Sequence, residues 1–96
     1  MRREEIIREL KGHRHVLREM GIRSLALFGS AARDEVRPDS DIDLLVEFSS
    51  PPGFDGYMEA KFYLESLLGR RVDLIMRSAL KPWAVEAIEQ EIVDVA

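Results

Sequence analysis

Between residues 3 and 20 the apolar side chains fall at Ile6, Ile7, Leu10, Val16, Leu17 and Met20, with charge at most positions between them. That spacing predicts one amphipathic helix, and Gly21 is a suitable stop for it. Residues 22–28 end in the unbroken apolar run Leu25-Ala26-Leu27-Phe28, as expected of a strand covered on both faces. Gly29-Ser30 interrupts the run, and Ala31-Ala32-Arg33 can open a short helix. Arg37-Pro38-Asp39-Ser40 is turn chemistry. Residues 42–48 alternate, with Ile42, Leu44 and Val46 on one face, which predicts a second strand. After the break at Pro51-Pro52-Gly53, residues 54–68 read as a long helix with Phe54, Met58, Phe62, Leu64, Leu67 and Leu68 largely inward. Gly69 ends it, residues 72–76 give a third strand, and Pro82 fits the first turn of a last helix running to about residue 91.

The order is helix, strand, short helix, strand, helix, strand, helix. Such alternation predicts a single α/β domain over residues 1–96, with a small mixed sheet of about three strands flanked by helices. A chain of 96 residues has material for one core and little more. There is no cysteine, which excludes disulfides and thiolate–metal sites. No apolar run approaches the ~18 residues of a membrane span. The charged start lacks the apolar middle of a signal peptide, so the cytoplasm is the expected compartment. A formal charge of −4 argues against direct, non-specific nucleic-acid binding. A nucleotide substrate is still compatible with it, because local basic groups and a bound cation can outweigh the global sign.

The chemistry concentrates in Gly29-Ser30, ten intervening residues, and Asp41-Ile42-Asp43. Residues two apart on a strand share a face, so Asp41 and Asp43 stand together while Ile42 and Leu44 point the other way. Two such carboxylates repel unless a cation neutralises them, and all-oxygen ligands favour magnesium or manganese. The glycine lets backbone approach a ligand closely, and Ser30 adds a hydroxyl and an N–H suited to phosphate. Arg33, about one turn on, can supply fixed positive charge to the same phosphates. Asp73 interrupts the apolar strand Val72-Asp73-Leu74-Ile75, a costly placement without a partner or a metal. If that strand neighbours the one bearing Asp41 and Asp43, three carboxylates meet, as two-metal phosphoryl chemistry requires.

These residues resemble the signature of the polymerase-β-like nucleotidyltransferase superfamily. The fuller strings Phe28-Gly29-Ser30-Ala31-Ala32-Arg33 and Pro38-Asp39-Ser40-Asp41-Ile42-Asp43-Leu44-Leu45-Val46 are similar to its minimal nucleotidyltransferase branch. The likeness continues through Gly69-Arg70-Arg71-Val72-Asp73-Leu74-Ile75 to Lys81-Pro82. It implies a polymerase-β-like fold, with Asp41 and Asp43 as metal ligands and Asp73 as general base or a further ligand. Two Mg²⁺ ions and ATP as substrate are implied with them. It further implies the antitoxin half of a two-gene module whose partner is a helical HEPN-type ribonuclease toxin. The implied reaction moves AMP from ATP to a tyrosine of that toxin.

Other readings of the same residues exist. Asp41 and Asp43 could be solvated strand-end carboxylates, and Asp73 could pair with Arg70 or Arg71. Arg33 suits a surface ion pair almost as well as a phosphate. Glu47 shares the Asp41/Asp43 strand face and is a reserve third carboxylate. His13 and His15 read as surface residues, Asp39 and Ser40 as a turn or cap, and Trp83, Phe54, Tyr57, Phe62 and Tyr63 as packing groups, of which one or two could stack on adenine or line an interface. At the level of function, the alternatives are a toxin-binding module with a vestigial nucleotide site, or transfer to a small molecule. The length leaves no room for a separate acceptor domain in the second case.

Overall fold

The structure, a computed structural model, describes residues 2–37 and 39–95. The chain runs α1 (Arg3–Gly12), α2 (Arg14–Glu19), β1 (Ile22–Leu27), α3 (Gly29–Ala32), β2 (Ile42–Phe48), α4 (Gly53–Leu68), β3 (Val72–Met76), a 3₁₀ turn (Arg77–Ala79), α5 (Pro82–Glu89) and β4 (Val93–Asp94). The four strands form one mixed sheet in the order β3-β2-β1-β4. Strand β2 is antiparallel to β1 and parallel to β3, and β4 pairs antiparallel with the end of β1.

Alternation in the central strands decides which face is the core. Ile42, Leu44 and Val46 of β2 are buried with Leu25 and Leu27 of β1 and Val72 and Leu74 of β3. Ile6 and Leu10 of α1, Leu17 of α2, and Ala60, Leu64 and Leu68 of α4 complete that cluster. The helices thus cover one face, and Asp43 and Asp73 lie on the other. Burial of these aliphatic side chains, roughly 1.5–3 kcal/mol each, is the main favourable contribution to the fold.

Two expectations need correction. The first helix is two helices. His13 leaves helical geometry, and its Nδ1 donates to the Glu9 carbonyl at 2.9 Å, a local bond that competes with the helical ladder. That histidine is half-buried, edge-on to Tyr63 with ring centroids 6.5 Å apart, whereas His15 is exposed beside Glu19 at 3.0 Å. Second, Phe54 and Phe62 point outward, 77% and 59% exposed, and Trp83 is exposed as well. Of the aromatic residues expected to pack, Tyr57 and Tyr63 do so. Helix α5 ends at Glu89, close to the expected bound of about residue 91. Beside the three expected strands the sheet carries the short β4, whose register sets Ala26 opposite Asp94 and Leu27 opposite Val93. The turn expected at 37–40 includes Pro38, which lies outside the described residues; Ser40 N–H does donate to Arg37 carbonyl at 3.0 Å.

Strand β3 is an edge of the sheet, and α4 blunts it. Glu65 accepts from the Val72 N–H at 2.9 Å, and the Tyr57 hydroxyl donates to the Leu74 carbonyl. Backbone groups that would otherwise template a foreign strand are thereby satisfied. Gly69 closes α4 in the left-handed region at φ +66, which lets its N–H reach Glu65 carbonyl at 2.8 Å before the chain turns into β3.

Candidate active site

Parallel pairing sets Asp43 of β2 directly opposite Asp73 of β3. Asp41 lies two residues before Asp43, on the same face. On the other side of β2, the Phe28 N–H donates to the Asp43 carbonyl at 3.2 Å, so the following Gly29-Ser30 turn lies against Asp43. Gly29 sits at φ +61, and a Cβ built there would overlap the Asp43 carboxylate. Glycine is therefore required twice, by the backbone angle and by the space. The result is a row from β3 across β2 to the turn after β1: Asp73, then Asp43, then Gly29-Ser30.

Helix α3 has only four residues, so its dipole is slight. Its buried Ala31 and Ala32 anchor the turn that carries Ser30. Arg33 follows at the end of α3, exposed, with Glu35 at 3.2 Å and Glu91 at 3.4 Å. Its positive charge bears on Asp43. The ion-pair reading of Arg33 thus describes its present contacts, and both partners are exposed acids that an anionic ligand can replace.

Asp43 is the half-buried member of the set, whereas Asp41 and Asp73 are exposed. Burial pushes the Asp43 carboxyl above its ordinary value of 3.8, the Asp73 and Asp41 charges add to this, and Arg33 opposes it. An uncompensated negative charge is thus concentrated at Asp43, which is the electrostatic condition for holding a cation. Asp41 is paired: its Oδ1 lies 3.3 Å from Nε of Arg71. Among the described residues, no three acidic or histidine side chains are already gathered about one point. The hard oxygen donors and their unbalanced charge fit a magnesium-type ion once the exposed Arg71–Asp41 pair opens.

The alternatives for Asp73 are not what is observed. Arg71 faces Asp41, and Arg70 donates to the Arg37 carbonyl at 2.8 Å. Glu47 lies four residues along β2 from Asp43, about 13 Å at strand rise, and is engaged by the Ser24 hydroxyl at 3.4 Å. It is not part of the row. Sequence reasoning missed Arg71 as the partner of Asp41 and Glu91 as the partner of Arg33. Nothing in local spacing signals either, since 58 residues separate Arg33 from Glu91. A cleft of about 370 Å³ lies at the other end of β2 and β3, lined by Glu47, Phe48, Pro51, Pro52, Met76 and Arg77 among others, and holds none of the carboxylates of the row.

A glycine-serine turn beside paired aspartates, on a mixed sheet backed by helices, is an arrangement suited to nucleotidyl transfer. The chain belongs to the nucleotidyltransferase domain family, whose model matches residues 10–95. It is 44% identical over 91 residues to the protein adenylyltransferase MntA of Thermococcus cleftensis, covering 94% of this chain and 92% of that one. Its fold is that of the minimal nucleotidyltransferases. A structure solved as a candidate minimal nucleotidyltransferase superposes with a TM-score of 0.85 at 33% identity, over 97% of this chain and 95% of that one. The same fold recurs in a tri-AMPylated Shewanella oneidensis HEPN toxin in complex with its MNT antitoxin. There the TM-score is 0.68 at 18% identity, over 98% of this chain and 71% of that one.

Proposed function

We propose that this protein transfers AMP from ATP to a tyrosine hydroxyl of a cognate HEPN-type helical ribonuclease toxin and so neutralises it in the cytoplasm. The observation that carries the reading is the row Asp73–Asp43–Gly29, which offers negative charge for cations beside a turn open to phosphate. The match to an adenylyltransferase over most of both chains supports the reaction class. A toxin–antitoxin structure with AMP-PNP, of the same fold, supports an ATP-like substrate.

Asp41 and Asp43 would hold Mg²⁺, with Asp73 on the second ion or accepting the proton of the nucleophile. When bound, the metal supplies charge stabilisation at the α-phosphate and the leaving pyrophosphate. Ser30 and Arg33 bind the polyphosphate tail on the β1 side of the row. The acceptor hydroxyl then attacks from the opposite side, over Asp73, because attacking and leaving oxygens lie in line across phosphorus. One P–O bond forms from the tyrosine oxygen, the bond between the α- and β-phosphates breaks, and pyrophosphate leaves. The phenolic proton passes to the Asp73 carboxylate. The residues thus act mainly by positioning and charge.

The test is to incubate the purified HEPN-type partner with this protein, ATP and magnesium, and to record its intact mass. Increments of whole AMP groups should appear with the parent, persist after separation, and accompany loss of ribonuclease activity. The Asp41→Asn, Asp43→Asn double variant should produce none. An unmodified partner inhibited equally by both proteins would reduce the chain to a binding module.

A further inference from the structure

On α4, Phe54, Met58 and Phe62 fall four residues apart, so they form a single ridge of about 12 Å along the helix. Phe54 and Phe62 are largely exposed and Met58 is half-buried. A separate stripe of the same helix, Ala60, Leu64 and Leu68, is what attaches α4 to the core. A cleft of about 370 Å³, lined by Phe48, Pro51, Pro52, Met76, Glu47 and Arg77 among others, adjoins the start of α4, whose N-cap is Pro52. Two exposed aromatic rings beside a cleft of mixed polar and apolar lining mark an interaction surface.

We infer that this α4 ridge and its adjoining cleft are the docking surface for a helical protein with basic residues beside its apolar groove. That partner is the HEPN-type one of the proposed function, on which this identification rests. Its shape follows from the i, i+4, i+8 ridge, which packs into the groove between the side-chain rows of another helix. Its charge follows from the flank. Asp55 and Glu59 are exposed along one flank of the ridge, half-buried Lys61 stands on the other, and the whole chain carries −4. A second copy of this chain fits badly. An antiparallel pair centred on Met58 would put Asp55 of one copy about 3 Å along the axis from Glu59 of the other, on the same flank. Like charges so placed repel, whereas a basic flank is attracted and steered in.

The surface has a consequence for the reaction. Helix α4 lies on the core face of the sheet, and Asp43 and Asp73 lie on the opposite face. Docking on the ridge therefore leaves the carboxylates open, and holding the partner is separable from modifying it.

The experiment measures binding of the purified HEPN-type partner, without nucleotide, to the parent chain, to a Phe54→Ser, Phe62→Ser variant and to an Asp55→Lys, Glu59→Lys variant. Because the altered residues are solvent-facing, both variants should melt near the parent, and a third readout, calorimetry with magnesium and ATP, should give unchanged nucleotide affinity. The serine variant should lose at least about tenfold in partner affinity, as expected for truncated aromatic anchors. The lysine variant should associate more slowly, with the difference shrinking at high salt. With saturating partner, AMP transfer by the serine variant should keep its kcat and raise its KM. Unchanged partner affinity in the serine variant would overturn the proposal. So would a parent dimer that dissociates on the same substitution, or a partner that fails to bind the parent. Binding lost with the ridge, by a parent that transfers no AMP, would keep the docking surface and discard the adenylyl reaction.

Discussion

Asp43 and Asp73 are direct neighbours across the parallel β2–β3 ladder, although thirty positions separate them along the chain. The α4 crossover brings them together, and it also delivers Glu65 and Tyr57 to the outer edge of β3. The same connection thus aligns the carboxylates and protects the strand that carries one of them.

The first prediction follows from the charge at this pair. Burial, then Asp73 and Asp41, raise the Asp43 pKa, so the folded protein holds that proton more tightly than the unfolded chain. The associated stability is complete below the unfolded value of 3.8 and is lost as pH rises through the higher folded value. Asp43→Asn should therefore melt a few degrees above the parent at neutral pH in metal-free buffer. The gap should close as pH falls below about 4. Thermal melts across pH check this; a variant that melts lower at pH 7 would show that Asp43 is held by favourable contacts.

Gly29→Ala should fail for two separable reasons. The positive φ costs a residue with a Cβ about 1–2 kcal/mol, and the added methyl meets Asp43. Denaturant unfolding should show at least that loss, and calorimetry should show no ATP binding. Adding Asp43→Ala to Gly29→Ala should recover the steric part of the stability and leave the backbone part.

Arg33→Gln should weaken ATP and inorganic tripolyphosphate about equally, by roughly tenfold, which is the scale of one charge-assisted contact. Because the partners of Arg33 among the described residues are the exposed Glu35 and Glu91, the melting temperature should hardly move. Calorimetry with both ligands decides it. Loss confined to ATP would transfer Arg33 to the nucleoside.

Tyr57→Phe removes the hydroxyl that reaches the Leu74 carbonyl and should cost about 1 kcal/mol, several degrees of melting temperature in a domain this small. Hydrogen exchange should quicken along β3 before it does along β1. Uniform acceleration would mean that the edge is not locally dependent on Tyr57.

Chelation separates the metal from the turn. With magnesium, ATP should bind measurably tighter than with EDTA, and the difference should vanish in the Asp41→Asn, Asp43→Asn variant. Equal affinity in all three conditions would remove the cation from the binding reaction.

Much of this was legible in the chain because it depends on local periodicity. Strand alternation alone put Ile42, Leu44 and Val46 inward and Asp41 and Asp43 together on the other face. The break at Gly29-Ser30 and the bounds of β2 and β3 were readable for the same reason. What only the tertiary structure decided is pairing over distance. The parallel register that sets Asp73 against Asp43, and the seating of Gly29 on the Asp43 carboxylate, are products of sheet order. The two-residue β4 is too short to carry a period and exists because β1 offers it a ladder. Phe54 and Phe62 mark the boundary most sharply. Their spacing is helical and their side chains apolar, yet which stripe of α4 faces the sheet is chosen by the packing of Ala60, Leu64 and Leu68, and that choice leaves the two phenylalanines in solvent.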